Sequence, residues 1–134
     1  MLLKDFYTIL YNSAPEEEIS KTGIASEKYR FKLKLNPAHP MYEGHFSGNP
    51  VVPGVCQIQI ISELISLVKG FPLRMVYSDS VKFLTIMVPG SNRIIDVEIR
   101  LRTEPDGSIS ANASIYESDV IYMKFKGLYQ KEEE

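Results

Sequence analysis

"PGVCQIQIISELISLVKG", residues 53–70, is the stretch on which the fold turns. Val55, Ile58, Ile60, Ile61, Leu64, Ile65, Leu67 and Val68 cover most of a helical circumference, which predicts a buried rather than a surface helix. Isoleucine is only a modest helix former, so a strand competes for the same residues. Length decides for the helix, because strands usually run about 5–6 residues and no turn signal interrupts this run. Pro53 suits a first helical turn, where its missing N–H is no loss, and Gly70 and Pro72 end the segment. The spacing predicts a helix from about Pro53 to Lys69.

Such a helix needs apolar cover, and the flanking sequence supplies it in alternating runs. In "FKLKL", Phe31, Leu33 and Leu35 oppose Lys32 and Lys34. In "IDVEIRLR", Ile95, Val97, Ile99 and Leu101 oppose Asp96, Glu98, Arg100 and Arg102. "SISANASIY" sets Ile109, Ala111, Ala113 and Ile115 on one face, and "IYMKFK" does the same with Ile121, Met123 and Phe125. Turn signals separate these runs, "EPDG" at 104–107 and "ESD" at 117–119. Period-two alternation with short connections predicts an antiparallel sheet with one covered face. The expected class is α+β, a long central helix wrapped by a curved antiparallel β-sheet of at least five strands. The polar run "SAPEEEISK", residues 13–21, reads as a loop or solvated face, and the final "KEEE", residues 131–134, as a solvated tail.

Bulk properties narrow the function classes. At 134 residues the chain is expected to be one domain spanning 1–134. A formal charge of −2 argues against a general nucleic-acid binder, which normally carries a basic excess. The single cysteine, Cys56, excludes an internal disulfide and fits a reducing compartment. "MLLKDFYTIL" lacks the features of a secretory signal, and no apolar run reaches the roughly 18 residues of a membrane span. The expectation is a cytoplasmic protein. No spacing of His, Cys, Asp or Glu suggests a metal site, and no glycine-rich loop suggests a nucleotide, so no cofactor is expected.

Two features could carry chemistry. Gln59, Ser62, Glu63 and Ser66 fall at i, i+3, i+4 and i+7, one polar stripe on an otherwise apolar helix. From spacing alone the stripe faces water, a partner subunit or a site. Ahead of the helix, His45 sits in "GHFSGNPVVPG", residues 44–54, a loop stiffened by Pro50 and Pro53. A histidine ionises near neutrality, and the helix N-terminus beginning at Gly54 favours developing negative charge. A base beside an oxyanion site is the minimum for proton abstraction next to a thioester carbonyl. Cys56 has no orienting partner other than His45 and reads as a packing residue. His39, in "NPAHP", has no comparable frame and reads as a strand-end or loop residue.

The stretch Gly44-His45-Phe46-Ser47-Gly48-Asn49-Pro50-Val51-Val52-Pro53-Gly54-Val55 resembles the G-H-F-P-x-x-P-x-x-P-G-V motif of the β-hydroxyacyl-acyl carrier protein dehydratases of fatty-acid synthesis, with Ser47 in place of a proline. "VKFLTIMVPG", residues 81–90, is similar to a second segment of that family. The resemblance covers roughly residues 30–129, and residues 1–28 look unlike the usual family N-terminus. It implies the hotdog fold and elimination of water from a 3-hydroxyacyl thioester. It also implies an acyl thioester partner, on acyl carrier protein or coenzyme A, and active sites formed between the two subunits of a homodimer or a higher oligomer of dimers. It places His45 at the substrate α-carbon and Gly54, followed by Val55, at the thioester carbonyl. An acidic carrier would make Lys82, Arg93, Arg100 and Arg102 candidates for docking. The family carboxylate position falls on Gln59, and the family's E-x-x-x-Q reads here as Gln59-x-x-x-Glu63. Glutamine orients but cannot donate a proton as a general acid. Three readings stay open: a dehydratase whose acid has moved one turn, about 5.4 Å, to Glu63; a hotdog thioesterase with a Gln-oriented water; or a catalytically silent acyl-binding or partner subunit.

Overall fold

The computed structural model describes residues 4–44, 50–91 and 93–132. Its elements are β1 (Tyr7–Asn12), β2 (Glu16–Ile19), β3 (Ala25–Leu35), α1 (Met41–Gly44), α2 (Gly54–Lys69), β4 (Leu73–Phe83), β5 (Ile94–Thr103), β6 (Ile109–Glu117) and β7 (Val120–Lys131). All strands pair antiparallel in one sheet of order β1-β3-β5-β6-β7-β4, with β2 beside the start of β3. The helix read from residues 53–70 is present as α2, with Pro53 extended at its N-cap and Gly70 left-handed (φ 81°) at its C-cap. Gly70 N–H donates to Ser66 carbonyl at 2.9 Å, closing the helix as a glycine can without strain.

Alternation positions the core. Phe31, Leu33, Ile95, Val97, Ile99, Ile115, Met123 and Phe125 are all buried with Ile60, Ile61, Leu64 and Ile65 of α2 in one cluster. The helix is less enclosed than its composition predicts: Val55 and Leu67 are 66% and 53% exposed. Within one chain the sheet can wrap only one side of α2, so apolar residues on the other side stay uncovered.

The glutamate run departs from the loop expectation. Glu16–Ile19 is a strand, β2, in register with Lys28–Ala25 of β3. The solvated half of the expectation holds, since β2 is mostly exposed. Its backbone pairs with β3, and Glu18 adds ion pairs, lying 3.4 Å from both Lys28 Nζ and Arg100 Nε. Charged side chains on a short edge strand also discourage pairing with another chain. Pro15 separates β2 from β1, so two short strands share one edge of β3.

Buried phenols make the fold sensitive to alkali. Tyr129 is fully buried, its hydroxyl 2.8 Å from Ser62 Oγ, and burial pushes its pKa up to about 12. Burial does the same to Tyr42, with Cys56 adding to it. Unfolded tyrosine titrates near about 10. Below that pH both states hold the proton and the stability from these phenols is complete. Above it the unfolded chain binds fewer protons, so stability falls until the folded pKa is passed. Urea midpoints are therefore expected to drop between pH 10 and 12, and Tyr129→Phe is expected to shallow that slope. A midpoint that stays level over this interval would contradict the assignment.

Candidate active site

The polar stripe of α2 lines a groove of about 910 Å³, whose walls include Val55, Ile58 and Leu67 of the helix and Phe71 and Leu73 beyond it. The stripe divides by role. Ser62 Oγ pairs with Tyr129 hydroxyl, and Ser66 Oγ accepts the Leu73 N–H at 3.1 Å, so both serines fasten the helix to the sheet. Gln59 and Glu63 form the other half. Gln59 Nε2 donates to Glu63 Oε2 at 3.1 Å, and Tyr7 hydroxyl donates to Glu63 Oε1 at 2.9 Å. The turn that separates positions 59 and 63 along the axis is thereby closed at the side-chain tips. Helical side chains lean towards the N-terminus, so a glutamate one turn later reaches back to its neighbour.

Gly54 opens α2, where the first N–H groups have no acceptor within the helix. The Cys56 and Gln57 N–H groups both turn to Pro53 carbonyl, at 3.0 and 3.1 Å. Phe83 packs closely on Gly54: a Cβ there would lie 2.6 Å from Phe83 Cζ, so a larger residue would have to displace that half-exposed ring. The two stretches that carry the sequence resemblance therefore meet at the first turn of α2. His45 lies outside the described residues, as do Phe46 to Asn49.

Cys56 is 1% exposed, its thiol donates to Met41 Sδ at 3.9 Å, and burial pushes the thiol pKa up. It packs and is no thiolate nucleophile. His39 has more of a frame than its sequence suggests. Its Nδ1 accepts the Met41 N–H at 3.1 Å, so Nε2 carries the proton and donates to Lys4 carbonyl at 2.9 Å. Three of the four docking candidates are neutralised within the chain: Arg93 by Glu117, Arg100 by Glu98 and Glu18, and Arg102 by Glu104. Lys82 is exposed on β4, with Lys124 as its register partner.

Sequence reasoning missed Tyr7. The residue belongs to the N-terminal segment that the family motifs do not reach, and "DFYTIL" carries no signal of a contact with position 63.

Comparison with known proteins agrees with the fold and the motifs. A structure of a protein from Erwinia carotovora subsp. atroseptica matches with a TM-score of 0.70, at 18% identity over 93% of this chain and 96% of that one. The dehydratase heterocomplex ApeI:P from Xenorhabdus doucetiae matches with a TM-score of 0.63, at 16% identity over 92% of this chain and 97% of that one. The curved sheet around one helix is the hotdog fold. A family model described as ApeI dehydratase matches residues 20–115, and the chain belongs to this ApeI-like family of dehydratases.

The 3-hydroxyacyl-[acyl-carrier-protein] dehydratase FabZ of Syntrophobacter fumaroxidans is 31% identical over 86 residues, which are 58% of each chain. The FabZ of Alkaliphilus metalliredigens is 24% identical over 116 residues, 81% of this chain and 75% of that one. The chain thus spans under two thirds of the first of these relatives. Among the described residues, no helix is long and apolar enough to cross a membrane.

Proposed function

We propose that this protein dehydrates a 3-hydroxyacyl thioester carried on acyl carrier protein, with Glu63 in the role that the family gives to the residue at position 59. The observation that carries this reading is the 3.1 Å contact between Gln59 Nε2 and Glu63 Oε2 on the groove wall. It supports a carboxylate working beside the family position although its backbone is one turn away. His45 takes the α-proton and the Cα–H electrons form the Cα=Cβ bond. The Cβ–O bond breaks, and the hydroxyl leaves as water with the proton of Glu63. The N–H of Gly54, next to Val55, holds the thioester oxygen as enolate charge develops. A proton passing through solvent from His45 to Glu63 restores the start, so no cofactor is needed.

The site in this reading lies between two copies of the chain. Val55 and Leu67 expose apolar surface beside the groove, and the edge strand β4 exposes Met75, Val76, Tyr77 and Phe83. Sedimentation is expected to show a dimer at micromolar concentration, and a monomer would remove this geometry.

Gln59 favours a second reading, a catalytically silent partner subunit that keeps the scaffold. Incubation with 3-hydroxyacyl and trans-2-enoyl thioesters of several lengths, with free thiol followed in parallel, separates the cases. Interconversion of the two supports the dehydratase. Thiol release would instead indicate a thioesterase, and neither would indicate the silent subunit.

A further inference from the structure

We propose that Tyr7 is a positioning residue that holds the Glu63 carboxyl group against Gln59 and stabilises the negative charge it gains as it releases its proton. The inference rests on the dehydratase reading above and adds to it a residue from outside the matched motifs. Tyr7 does not line the groove, whereas Glu63 and Gln59 do, so Tyr7 acts from behind the carboxylate.

The hydroxyl is presented by an anchored turn rather than a loose terminus. Phe6 is 1% exposed, its ring 5.1 Å from that of His39 and 5.8 Å from that of Tyr42. Asn36 Nδ2 donates to Asp5 carbonyl at 2.8 Å, Asn36 N–H donates to Phe6 carbonyl at 3.0 Å, and His39 Nε2 donates to Lys4 carbonyl. Asp5 adopts a positive φ of 60°, a conformation that costs an ordinary residue energy and persists when its surroundings hold it. Tyr7 then enters β1 opposite Leu35, which is itself buried. Three carbonyls in succession are thus tied to the segment 36–39, and the next side chain reaches Glu63.

The chemistry follows from which groups donate. The phenol pKa of Tyr7 is raised strongly, first by burial and further by Glu63 in its ionised state, the state left once its proton has gone. The phenol therefore stays protonated at any working pH and can donate to Oε1, while Gln59 donates to Oε2. Donors aimed at a carboxylate strengthen as its charge develops, so they lower the barrier more than they tighten the ground-state complex. Gln59, unable to serve as an acid, becomes the second support of the group that can.

Tyr7→Phe removes only the hydroxyl and keeps the ring packing. It is expected to lower kcat by about 10–100-fold, the range of a hydrogen bond to a charged group, with KM little changed. The double variant with Glu63→Gln is expected to be no slower than Glu63→Gln alone, because both changes remove one unit. A readout independent of turnover is the side-chain amide resonance of Gln59, expected to move in Tyr7→Phe when the carboxyl loses its hold. Wild-type kcat and an unmoved Gln59 resonance in Tyr7→Phe, or losses that multiply in the double variant, would overturn the proposal. If wild-type protein turns over nothing, or Glu63→Gln keeps full turnover, the dehydratase reading of Glu63 falls. The Gln59 resonance alone then decides whether Tyr7 positions the pair.

Discussion

His45→Ala is expected to lower interconversion of 3-hydroxyacyl and trans-2-enoyl thioesters by about 10²–10⁴-fold, the usual contribution of a positioned acid–base group. No other base in the motif is available for the α-proton. Cys56, one residue past the motif, is buried against Met41, and burial raises its thiol pKa. His39 uses both ring nitrogens on backbone partners, so it cannot substitute without unfastening the turn that carries Tyr7. The loss should fall on kcat, with KM little changed. Turnover that survives both His45→Ala and Glu63→Gln would mean that this mechanism is wrong.

Phe125→Ala is expected to destabilise the protein by about 3–5 kcal/mol, the range for a buried phenylalanine truncated in a core. Phe125 is 1% exposed, lies opposite Val81 of β4 and Ala113 of β6, and has its ring centroid 6.3 Å from that of Tyr129. Gly127 is shaped to this ring, because a Cβ there would lie 2.6 Å from Phe125 Cζ and 3.0 Å from Tyr77 carbonyl oxygen. The backbone on that side cannot collapse cheaply into the space the ring leaves, so the cavity term should be near its full value. The urea midpoint should fall with little change in slope. Val120→Ala on the same strand, where Val120 is 43% exposed, should stay within about 0.5 kcal/mol of wild type. A loss under about 1 kcal/mol for Phe125→Ala would show that the core is not closed at this point.

Much of the fold was legible because it rests on periodicities that single residues report. Phe31, Leu33, Ile95, Val97 and Ile99 alternate in sequence and are buried in the structure, and the run 53–70 is a helix whose stop at Gly70 is a left-handed cap. The strand β2 was not legible, because "EEE" has no apolar face and the strand forms by backbone pairing with residues 25–28 of β3. The exposure of Val55 and Leu67 was not legible either, since composition says a helix is apolar without saying how much of it one sheet can cover.

For the site, the sequence by itself determined the residue types on one helical face and their order, including the glutamine at 59 and the glutamate at 63. It also determined the glycine at 54 and the histidine at 45 ahead of it. Only the tertiary structure decided that the tips of Gln59 and Glu63 meet, that Ser62 and Ser66 are fasteners, and that Phe83 covers Gly54. It also brought Tyr7 to a residue 56 positions away. The reason is physical. Helical spacing fixes which side chains share a face, within one turn of backbone. A hydrogen bond between β1 and α2 depends on how the strand edge, its anchored turn and the helix pack together, and no local pattern encodes that.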